Sequence, residues 1–94
     1  MFSSKYYLSK LIDNSLSLSK IEKINIFNFA TKNTDKISDF ITILEDDKKG
    51  WDFIKSNYQK KVNLIGENFK NDLKNGIENE KIKHTNKIKD RINL

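Results

Sequence analysis

The 94-residue chain has no cysteine and no proline. Without cysteine there is no disulfide framework and no thiolate chemistry, which suits a reducing compartment. Without proline, only glycine, caps and turn residues can interrupt a helix. Glycine is also sparse. Gly50, Gly66 and Gly76 are too scattered for a phosphate-binding loop. His84 is the single histidine, so a zinc site is short of ligands and no spaced His–acid pair stands ready to activate a serine. No window approaches the ~20 apolar residues of a membrane span. The N-terminal stretch lacks the apolar core of a signal peptide. It is free of acid up to Asp13 but also free of arginine, which argues against a mitochondrial presequence.

Arginine is nearly absent as well. Arg91 is the only one among 18 basic residues; the rest are lysine. Together with abundant Asn, Ile and Phe, this composition reads as the product of an AT-rich genome. That bias accounts for part of the net charge of +5. An all-lysine surface is a weak signature of base reading, because arginine is the residue that forks onto phosphate and guanine.

What is present points to helices. The apolar fraction is 36% and charged residues make up 33%. Globular chains usually reach about 45–50% apolar when glycine is counted, so a thin helical protein with much exposed surface is expected. A chain of this length buries only roughly 60–65% of its unfolded surface, which leaves stability marginal.

The longest unbroken period runs from Trp51 through Ile54, Tyr58, Val62, Ile65, Phe69 and Leu73. Its steps of three and four place every large side chain on one stripe. The sequence therefore predicts an all-α protein, a small antiparallel bundle of four to five helices organised around an amphipathic helix over 52–74. Upstream, Ser3 or Ser4 caps a short first helix with Tyr7, Leu8, Leu11 and Ile12 on its apolar face. Asp13-Asn14-Ser15 ends it. Ser19-Lys20-Ile21-Glu22 matches a capping box. Asn25 to Phe29 is read as helix, since its alternation breaks and no second strand exists to pair with it. Thr34 is an N-cap candidate for a helix carrying Ile37, Phe40, Ile41 and Leu44. Lys48 and Lys49 suit that helix's C-terminus, and Gly50 the left-handed residue after it. Gly66, beside the stripe residue Ile65, is a point where a neighbouring helix can approach. Lys74, Asn75 and Gly76 read as a second C-terminus. The whole chain, 1–94, is expected to form one helical domain, with 77–94 projecting or packing as a separate C-terminal helix.

For function, no catalytic, cofactor-binding or metal-binding residue is assigned. Glu45, Asp46 and Asp47 lack the alternating ligands and turn glycine of a calcium loop. They are read as an exposed acidic patch at a helix end. His84, among Lys81, Lys83 and Lys87, is expected to face solvent. Basic charge gathers in the C-terminal half, at Lys60, Lys61, Lys70, Lys74, Lys81, Lys83, Lys87, Lys89 and Arg91. These lysines, Arg91 and the three acids are the candidate binding residues. The pattern favours a non-enzymatic, cytoplasmic helical protein that docks on a larger protein as inhibitor, regulator or small subunit. A mobile-element or phage-encoded inhibitor of a host defence complex is one concrete form. A basic nucleic-acid binder is the alternative, with Thr34 to Ile54 resembling two helices about a turn. A membrane-surface protein using Met1 to Ile12 is a further one. A homodimer follows if the C-terminal segment projects. No motif identifies a family.

Overall fold

The computed structural model describes the backbone of residues 3–65 and 70–93, and the side chains of 3–65 and 72–93. Four α-helices follow one another: α1 (Ser4–Asn14), α2 (Lys20–Lys32), α3 (Ile37–Ile65) and α4 (Lys70–Ile92). A 3-10 turn, Thr34–Lys36, joins α2 to α3. No strand occurs among the described residues, and none of the helices is long and apolar enough to cross a membrane. The chain is a small all-α bundle.

Local chemistry sets the first two helices. The Ser3 hydroxyl caps α1 by accepting from the Tyr6 amide at 3.1 Å. The capping box that opens α2 is complete. The Glu22 amide donates to Ser19 Oγ, and the Ser19 amide donates to Glu22 Oε1. Segment 25–29 is helical, lying within α2. Thr34 does not cap α3: the 3-10 turn has no side-chain cap bond, and α3 begins at Ile37.

The middle of the chain departs from the sequence reading. Gly50 does not end a helix, and no new helix starts directly after Trp51. α3 runs unbroken through both. Of the expected helix over 52–74, residues 52–65 form the second half of one longer helix that starts at Ile37, residues 70–74 open α4, and 66–69 lie outside the described residues. The reason lies in the stripe Ile37, Phe40, Leu44, Asp47, Trp51, Ile54 and Tyr58. Its alternating steps of three and four keep one face toward the other helices across Gly50. A helical glycine costs about 1 kcal/mol, less than that continuous packing contributes. Gly76 likewise stands inside α4, with no break there. The stripe residue Phe69 and Gly66 lie outside the described residues.

The core also sits elsewhere than expected. Leu8 and Ile12 of α1, Leu18, Ile26 and Ala30 of α2 and its approach, Ile37, Phe40, Ile43 and Leu44 of α3, and Ile88 and Ile92 of α4 form one cluster. Phe29 meets Phe40 edge to face at 5.9 Å between ring centroids. Among the described residues of the predicted organising stripe, only Ile54 is buried; Trp51, Tyr58, Val62 and Leu73 are half-buried and Ile65 is exposed. α4 lies antiparallel along α3, placing Arg91 at Asp46, His84 at Asp47 and Gly76 near Tyr58. The molecule is elongated, 51 × 28 × 18 Å. One end is a four-helix body. The other is a two-helix arm of α3 beyond Lys55 and the first turns of α4.

Candidate functional site

The centre of the body is a carboxylate. Asp47 occupies a core position on α3, and only 1% of its surface is exposed. Three groups from outside α3 converge on it. Ser15 Oγ donates to Oδ2 at 2.7 Å, and Ser17 Oγ donates to Oδ1. His84 Nε2 lies 3.0 Å from Oδ1 and 3.0 Å from the Asp47 carbonyl oxygen. Both neighbours are acceptors, so Nε2 carries a proton. The Trp51 indole N–H donates to Ser17 Oγ at 2.9 Å, and its ring stands edge-on to the His84 ring at 5.7 Å. Gly50 makes room for that imidazole. A Cβ at Gly50 would fall 2.1 Å from His84 Cε1.

This arrangement corrects two expectations. Asp47 is not part of an exposed acidic patch, and His84 does not face solvent. A buried carboxylate is costly unless hydrogen bonds satisfy it, and here three donors do so, from Ser15, Ser17 and His84. No buried side-chain polar atom among the described residues is left without a partner. The residue types of a nucleophilic triad are all present, in the wrong order. In a triad, histidine stands between acid and serine. Here the acid stands between histidine and the serines, so no imidazole nitrogen is placed to take a serine proton. The cluster ties the α1–α2 segment, α3 and α4 together.

Above it lies an open groove of about 720 Å³ between α1, the segment leading to α2, and α3. Tyr7, Leu11, Leu16 and Trp51 give it apolar walls, and Lys10, Lys48, Lys49 and Lys55 line its edges. Glu45 and Asp52 are its carboxylates besides buried Asp47. The Tyr7 hydroxyl donates to Glu45 at 3.1 Å. Partial burial, and then the Glu45 carboxylate beside it, push the Tyr7 phenol above its ordinary value.

The three acids therefore separate: Glu45 lines the groove, Asp46 pairs with Arg91 at 2.9 Å, and Asp47 is interior. The basic residues separate too. Lys89 pairs with Glu22 at 3.1 Å and Lys81 with Glu78 at 3.1 Å. Lys60, Lys61, Lys74, Lys83 and Lys87 are exposed, with no ion pair among the described residues. Lys70 opens α4, and its side chain lies outside the described set. Ser15, Ser17, Trp51 and the lysines Lys10, Lys48 and Lys55 were not singled out as site residues by the sequence. Comparison with protein-family models, with curated proteins and with solved structures finds no match to this chain.

Proposed function

We propose that the protein is a non-enzymatic docking module that seats one face on a larger protein, as an inhibitor, a regulator or a small subunit. One observation carries this reading: large apolar side chains stand outside the core in number. Leu16 is 57% exposed, Phe53 68%, Ile82 58% and Leu64 85%. Side chains of this kind are costly to hydrate, and on small proteins clusters of them mark contact surfaces. The reading places the protein in the cytoplasm, in keeping with a chain free of cysteine.

A second reading rests on Lys60, Lys61, Lys74, Lys83 and Lys87, which have no ion pair among the described residues and suit a phosphate backbone or an acidic protein. Pull-down with the intact protein, with and without nuclease, separates the two. The docking reading expects a defined protein partner that survives nuclease. A partner set that vanishes with nuclease would replace it with nucleic-acid binding. A homodimer would be another way to cover Leu64 and Ile65, and sedimentation of the purified protein across concentration tests it.

A further inference from the structure

Resting on the docking reading, we propose that the groove between α1 and α3 receives an acidic amphipathic helix of the partner protein. Its dimensions and chemistry carry the assignment. The groove follows α3 from Leu44 to Lys55. At a rise of about 1.5 Å per residue this is roughly 16 Å, or three helical turns. Three turns present anchors at i, i+4 and i+7 to a groove with apolar walls. Tyr7, Leu11, Leu16 and Trp51 supply such walls.

The charge selects the occupant's flanks. Four lysines edge the groove against two carboxylates that are not interior, Glu45 and Asp52. Glu45 already accepts the Tyr7 hydroxyl. No carboxylate among the described residues lies within ion-pair distance of Lys10, Lys48, Lys49 or Lys55. Lys10 stands over the Tyr6 ring instead, 5.5 Å from its centroid, a cation–π contact that brings no carboxylate to it. Glutamates or aspartates beside the apolar stripe of an incoming helix would meet these ammonium groups. A nucleic-acid strand fits less well. The groove has no arginine, and Glu45 and Asp52 would face its phosphates.

Trp51 is the only tryptophan and lines the groove, so its emission reports occupancy directly. The probes are three short synthetic helices sharing one leucine face, with Glu, Gln or Lys on the flanks, and a single-stranded oligonucleotide. The acidic helix is expected to change Trp51 emission saturably and to bind about tenfold tighter than the Gln helix. The triple variant Lys10→Glu, Lys48→Glu, Lys55→Glu alters only exposed side chains and should keep its helicity by circular dichroism. It should lose the acidic helix and favour the lysine one. Equal binding of the acidic and Gln helices, preference of the wild type for the lysine helix, or displacement of the acidic helix by the oligonucleotide would overturn the assignment. If the acidic helix fails while wild type and triple variant retain the same nuclease-resistant partner equally, docking stands and this groove is not its site. If the wild type retains no partner after nuclease, the docking reading itself falls, and the groove assignment with it.

Discussion

The four-helix body and the two-helix arm share α3 and α4, and they are held together in different ways. In the body, α3 is packed by α1, α2 and the end of α4, and its stripe from Ile37 to Leu44 is buried. In the arm the same helix, with the same period, meets only α4 among the described residues. After Ile54 no described residue of α3 is buried. Ile54 and Ile77 are buried where the two regions meet, outside the main cluster. Amphipathic spacing therefore states which face of a helix is apolar. It does not state how many partners will cover that face. Local stability should follow the partners, with the body opening only on global unfolding and the arm opening more readily.

The largest test of this contrast is the carboxylate at the centre of the body. Asp47→Ala removes the acceptor for Ser15, Ser17 and His84 at once. Each buried donor left without its acceptor costs about 1–3 kcal/mol, so with three of them urea unfolding should show a loss of at least about 3 kcal/mol. Leu64→Ser in the arm should stay within about 0.5 kcal/mol, since its side chain is already in water. Comparable losses at the two positions would erase the distinction between body and arm.

The glycines sharpen it. Gly50→Ala in the body sets a Cβ against the His84 ring, which Asp47 and Trp51 hold in place. A loss of about 1–3 kcal/mol is expected by thermal or urea unfolding. In a His84→Ala background the same change should turn neutral or stabilising, because alanine is the better helix former. Gly76→Ala in the arm meets nothing within 4 Å. There the gain in helix propensity stands alone, and a stabilisation of about 0.5–1 kcal/mol is expected. A loss at Gly76 would mean the arm is packed more tightly than the body-and-arm contrast allows.

Much of the architecture was legible from the chain. The capping box at Ser19, the cap at Ser3 and the i, i+3, i+4, i+7 spacing from Ile37 each name a helix by local chemistry. What could not be read locally was continuity. Gly50 after two lysines has the form of a helix end, and only the distant imidazole of His84 explains why a glycine is there. The polar cluster joins Ser15 and Ser17 to Asp47 and His84, residues 30 or more positions apart in most of its bonds. One signal was present. Asp47 falls on the stripe between Leu44 and Trp51, and His84 on the stripe between Ile77 and Ile88. A polar residue at a core position on each of two facing helices predicts a partner across the interface. Splitting the helix at Gly50 hid that register. The groove edges were missed for the opposite reason: Lys10, Lys48 and Lys55 are exposed lysines like many others, and only the fold brings them to one cleft.

The smallest effect concerns how α2 is tied to the body. The Ser19 backbone amide, and with it Lys89, holds the Glu22 carboxyl below its ordinary value. A carboxyl lowered in the folded state favours folding at every pH above its unfolded value. That contribution fades as the pH falls through the lowered folded value. Acid should therefore loosen the body at the start of α2 and its ion pair to α4, while leaving the arm, where Glu22 has no counterpart, unaffected by this group. Glu22→Gln keeps a side chain that can accept from the Ser19 amide but removes the titration. The wild type should lose more melting temperature than Glu22→Gln between neutral pH and the acid side of the carboxylate range. Because Glu22 and Lys89 are both partly exposed, the difference should be modest and should shrink further in high salt. Segment-resolved amide exchange gives the location: acid-dependent opening confined to α2 and the end of α4 supports the contrast. Equal opening along α3 and α4 would show that the two regions unfold as one.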